Sequence, residues 1–161
     1  MNNSGILLED FRKAEGYKFL SQLLAYLEGK EACRSQLDHL FDIVTDLVYV
    51  GLHDLQPAEA ASPYNTTLNS STDEAGSCVR NIEAFQVLQS YFLESKDEPG
   101  RTKVLDRVLA VYAAHTKNFL ILQQLRTLCY FIELFESLSF ELKVRRVNIC
   151  VMLMCVCRMV F

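Results

Sequence analysis

LDHLFDIVTDLVYVG, residues 37–51, decides the fold. Leu37, Leu40, Phe41, Val44, Leu47, Val48 and Gly51 fall at i, i+3, i+4, i+7, i+10, i+11 and i+14, one stripe of a helix that turns every 3.6 residues. The same period returns in Val104, Leu105, Val108, Leu109 and Tyr112, and again in Leu125, Leu128, Ile132 and Phe135. The chain therefore reads as helices packed on helices, an all-α fold. Leu40, Phe41, Val44 and Val48 are expected to lie buried between neighbouring helices.

Working outward, the long helix is expected over about Glu31 to Leu52. Upstream, Leu7 to Ala14 reads as the last turns of a helix closed by Gly16, a residue suited to the left-handed conformation that ends helices. A helix so near its end implies that the natural chain extends further upstream. Tyr17 to about Glu28 forms the next helix, with Tyr17, Leu20, Leu24 and Leu27 inward and Gly29 as its stop. Residues 55–79 change character: Pro57, Pro63, Gly76 and a polar run from Asn65 to Thr72 offer too little apolar surface to offset the entropy of ordering. A long mobile loop, dispensable for folding, is expected there. Helical signals resume at Asn81, an N-cap before Ile82, Phe85, Leu88 and Phe92. Pro99 suits the first turn of a helix ending near His115, and Phe119–Leu125 and Thr127–Leu138 complete six or seven helices. Consecutive amphipathic helices without an exact repeat fit a degenerate armadillo-like solenoid.

With 161 residues, half of them hydrophobic and 22% charged, one globular core is expected. The net charge of −4 argues against nucleic acid as a partner, since that affinity comes from lysines and arginines neutralising phosphates. The charge is unevenly spread: residues 1–142 carry 12 basic and 20 acidic groups, a net −8, whereas 143–161 carry +4. Six cysteines without a secretory leader imply reduced thiols and a cytoplasmic location. The sequons at Asn2, Asn65 and Asn69 then read as loop composition.

No residue pattern calls for chemistry. His39, His53 and His115 stand outside any ligand spacing, with His39 on or near the surface and His115 at a helix end, where the dipole favours a protonated ring. Cys150, Cys155 and Cys157 lack the two short pairs that zinc prefers, and Cys33, Cys78 and Cys129 are dispersed. No G-x-S-x-G turn is present, and Gly100-Arg101-Thr102-Lys103 lacks the first glycine of a phosphate loop. Glu133 and Glu136 share a helix face that reads as solvated. No catalytic residue, metal ligand or cofactor is expected, and the chain is not read as an enzyme.

Three blocks carry a resemblance. Leu8-Glu9-Asp10-Phe11-Arg12 precedes Gly16-Tyr17 and Phe19-Leu20; Val79-Arg80-Asn81 precedes Ala84-Phe85 and Val87-Leu88-Gln89; Asn118-Phe119 precedes Ile121-Leu122. In order and spacing they resemble the N-terminal armadillo-like region of the Alfy-type WD-repeat and FYVE-domain proteins of the BEACH class, over roughly residues 7–137. The resemblance implies a cytoplasmic scaffold with protein partners, in a family that links ubiquitinated cargo and phosphatidylinositol 3-phosphate membranes to autophagy, or serves vesicle traffic in immune cells. It also implies a fragment or short isoform, because the BEACH, WD and FYVE modules would lie far downstream.

The resemblance stops after Leu142-Lys143. Residues 1–142 are thus assigned to the armadillo-like region and 143–161 to a hydrophobic tail outside the family pattern. Val144-Arg145 can be encoded by GTAAGA, the way an intron opens, so the tail reads as transcript read-through. Its unbroken apolar run, Ile149 to Cys157, is nine residues and falls short of the about 20 that span a bilayer. Direct membrane contact through 144–161, as an interfacial anchor flanked by Arg145-Arg146, is the competing reading. The tail is otherwise expected to stay loosely attached and promote self-association.

Overall fold

The computed structural model describes residues 3–51, 78–123 and 125. Among these residues the regular structure is entirely helical: α1 (Asn3–Lys13), α2 (Gly16–Leu27), a 3₁₀ turn (Glu31–Cys33), α3 (Arg34–Val48), α4 (Ile82–Glu94), α5 (Glu98–Ala114) and α6 (Thr116–Gln123). All belong to one unit, Met1–Gln124. The expected helix Thr127–Leu138, the tail 143–161 and loop residues 55–77 lie outside the described residues.

The periodic stripe does what its spacing dictates. Leu37, Leu40, Phe41, Val44 and Val48 of α3 are buried, and the last three are completely inaccessible. They face α4, which also packs on α2 and α5. Surrounded on three sides, α4 buries Ala84, Phe85, Val87, Leu88, Gln89, Tyr91 and Phe92, far more than one stripe. From α5 come Val104, Leu105, Val108, Val111 and Tyr112. Ring edges join the layers: Phe41 meets Tyr91 at 5.0 Å and Phe85 meets Tyr112 at 6.0 Å, both edge to face.

Several boundaries differ from those the sequence suggests. The chain coils as a 3₁₀ turn over Glu31–Cys33 before the α-helix begins at Arg34. That helix stops at Val48, not Leu52, because the Val48 carbonyl accepts the backbone N–H groups of Arg80 (2.9 Å) and Asn81 (3.0 Å). Gly51 accordingly leaves the helical stripe and lies against Arg80: a Cβ on Gly51 would stand 2.7 Å from Arg80 Cβ. Gly51 and Arg80 thus lie side by side. Cys78 and Val79, expected in the loop, belong to the packed body with 8% and 0% exposure. The α1–α2 joint also differs. Glu15, not Gly16, takes the left-handed conformation, at φ 56°. Gly16 opens α2, where any Cβ would collide with the Phe11 ring. Gly29, at φ 71°, does end its helix as its conformational freedom suggests. Leu20 and Leu24 are buried, but Tyr17 and Leu27 are only half-buried. The helix expected from Phe119 starts at Thr116, one residue after α5, with His115 as the link.

Candidate functional site

The interior polar groups are the natural place to look for chemistry, because each has to be matched to a partner to be tolerated there. Asn118 of α6 is completely inaccessible. Its Oδ1 accepts the Val79 N–H at 2.8 Å, and its Nδ2 donates to the Val111 carbonyl at 2.8 Å. One side chain therefore pins the entry to α4 and the last turn of α5 to α6. Asn81, 4% exposed, works at the other side of that entry. Its Oδ1 caps α4 by accepting the Ala84 N–H at 3.1 Å, while Nδ2 donates to the Tyr17 hydroxyl at 2.7 Å. Burial raises the Tyr17 phenol above its ordinary value, against the opposing hydrogen bond from Asn81. Tyr17 in turn receives the edge of Phe11 at 5.1 Å, and Arg12 reaches Glu83 at 2.7 Å.

A second knot closes the opposite end of α4. Glu28, just after α2, accepts three hydrogen bonds on Oε1: from the Ser95 hydroxyl (2.8 Å), the Lys96 N–H (2.7 Å) and the Asp97 N–H (3.0 Å). Burial would push this carboxyl up, but the hydrogen bonds outweigh it and hold it below its ordinary value. Asp97 then caps α5 by accepting the Gly100 N–H at 3.1 Å. The Tyr91 hydroxyl crowds Gly100, where a Cβ would lie 2.5 Å from it. The third polar feature is a charged seam. Lys103 pairs with Asp38, and Arg107 grips Asp42 Oδ1 through Nε (3.1 Å) and Nη2 (2.6 Å), tying α5 to α3.

These arrangements build the fold. The phosphate-loop look-alike is occupied with structural contacts: the Gly100 N–H goes to Asp97, Thr102 bonds the Glu98 carbonyl, Lys103 pairs with Asp38, and Arg101 stacks on Phe92 at 4.9 Å with its Nε buried and without a hydrogen bond. His39 is exposed. The His115 Nδ1 accepts the Lys117 N–H at 3.0 Å, so the ring serves as an acceptor at the start of α6. Cys33 is a half-buried free thiol, and Cys78 is buried. Among the described residues, no group of three or more His, Cys, Asp or Glu could hold a metal, and no helix is long and apolar enough to cross a membrane. His53, Cys129, Cys150, Cys155, Cys157, Glu133 and Glu136 lie outside the described residues. An open groove between α2 and α4, running past Tyr17, Ser21, Gln86 and Ser90, holds about 210 Å³. Small-molecule sites usually enclose about 300–1,000 Å³.

Tyr17, Val79, Asn81 and Asn118, which tie the start of α4, belong to the sequence blocks, and known proteins are similar to the chain over part of its length. WD repeat- and FYVE domain-containing protein 4 of Mus musculus is 28% identical over 123 residues, 74% of this chain. Its Homo sapiens counterpart is 27% identical over 135 residues, 81% of this chain. BEACH domain-containing protein A2 of Arabidopsis thaliana is 29% identical over 63 residues, 39% of this chain. The chain spans only 4%, 4% and 2% of the length of these relatives. No family model and no solved structure matches. These partial similarities point to a BEACH-family relationship.

Proposed function

We propose that this chain is a non-enzymatic protein-interaction segment, equivalent to part of the N-terminal armadillo-like region of Alfy-type BEACH proteins, and that it serves a cytoplasmic scaffold in selective autophagy or vesicle traffic. The observation that carries the reading is the use of the shared sequence blocks. Phe11, Arg12, Gly16 and Tyr17 of the first block, Val79, Asn81 and Ala84 of the second, and Asn118 of the third hold one another in place. A pattern that packs helices, with its polar groups engaged at joints, is what a scaffold needs.

The test is a graft. The 123-residue stretch of the mouse relative that matches this chain is replaced by the corresponding part of the chain. The expected chimera accumulates at the parental level and retains the parent's co-purifying proteins. A chimera that is degraded or insoluble, or that is stable yet loses those partners, would overturn the reading. The second reading, a helical adaptor held at membranes by its tail, draws on the apolar run Ile149–Cys157 behind Arg145-Arg146. Flotation of the full chain, but not of a chain ending at Lys143, with anionic liposomes would favour it.

A further inference from the structure

We draw no further inference here: the strongest candidate, the apolar surface that Phe19 and Tyr26 of α2 and Ile43 of α3 leave 61%, 67% and 53% exposed, carries nothing because nothing in the structure shows what covers it.

Discussion

The corner where α4 begins and the seam between α3 and α5 solve the same problem by opposite means. Both join stretches of chain far apart in sequence: Val79 to Asn118 and Tyr17 to Asn81 at the corner, Asp38 to Lys103 and Asp42 to Arg107 at the seam. The corner uses neutral amides, Asn81 and Asn118, that are themselves buried. The seam uses full charges at the edge of water, where the Asp42 side chain is 60% exposed. A buried donor left without its partner carries a desolvation penalty of about 1–3 kcal/mol, whereas an exposed ion pair is typically worth under about 1 kcal/mol. The corner should therefore set the geometry of the fold, and the seam should only adjust it.

The most disruptive change tests the apolar layer beneath both. Val44 is completely buried against α4, so Val44→Asp would place a charge there with no partner. The expected cost is about 4 kcal/mol or more, enough to abolish a cooperative thermal transition followed by circular dichroism. Native-like melting of that variant would mean that this layer yields to charge, and the contrast between buried corner and exposed seam would lose its basis.

Asn118→Ala strikes the corner directly. It removes at once the acceptor of the Val79 N–H and the donor to the Val111 carbonyl, two buried backbone groups. A loss of about 2–4 kcal/mol is expected from denaturant titration, with hydrogen exchange rising at Val79 before it rises in the centre of α4. A loss below about 1 kcal/mol would show that the corner is as tolerant as the seam.

Sequence alone discloses the apolar layer much better than these joints. Leu37, Leu40, Phe41, Val44 and Val48 are buried as their spacing requires, since a period of 3.6 is a property of the helix itself. The helix end is a different matter: it is set by Arg80 and Asn81, whose N–H groups reach the Val48 carbonyl from a remote part of the chain. Gly51 was placed on the stripe because periodicity holds no record of that meeting. Val87, Gln89 and Tyr91 escaped for a related reason, as a one-sided pattern cannot describe a helix enclosed on three sides. Asn81 was legible as a cap from its local position, but its second bond to Tyr17 was not. The third sequence block names Asn118, but its bonds to Val79 and Val111 are not legible in it. Glu28 gave no signal at all, because a glutamate after a helix is common and its three donors lie beyond α4.

Glu28 stands between the two extremes, charged like the seam and multiply hydrogen-bonded like the corner. Its carboxyl is held below its ordinary value in the folded chain, so its contribution is present above the unfolded value of about 4.3 and is lost as pH falls through the folded one. Glu28→Gln keeps an acceptor oxygen but removes the charge. A destabilisation of about 1 kcal/mol is expected at pH 7, shrinking toward zero at a pH below the folded-state value, where the native carboxyl is protonated too. Paired urea titrations at the two pH values read it out. A gap that is the same at both would assign the effect to side-chain shape rather than to charge.

The smallest effect is expected at the seam itself, and measuring it requires a cycle rather than a single variant. Arg107 also donates to the Lys103 and Asp38 carbonyls, at 3.3 and 3.4 Å, and its guanidinium lies 5.5 Å from the Phe41 ring centre. Arg107→Ala therefore removes packing and backbone contacts together with the ion pair, and its full cost overstates the pair. Combining Arg107→Ala with Asp42→Ala cancels those shared losses and isolates the coupling. With Asp42 well exposed and Arg107 only 21% exposed, that coupling should be about 0.5 kcal/mol and fall further in 1 M salt, as screening requires. A coupling above about 1.5 kcal/mol that ignores salt would place the pair in an effectively dry setting. The seam would then fix the position of α5 as firmly as Asn118 fixes α6, and the two regions would no longer differ in kind.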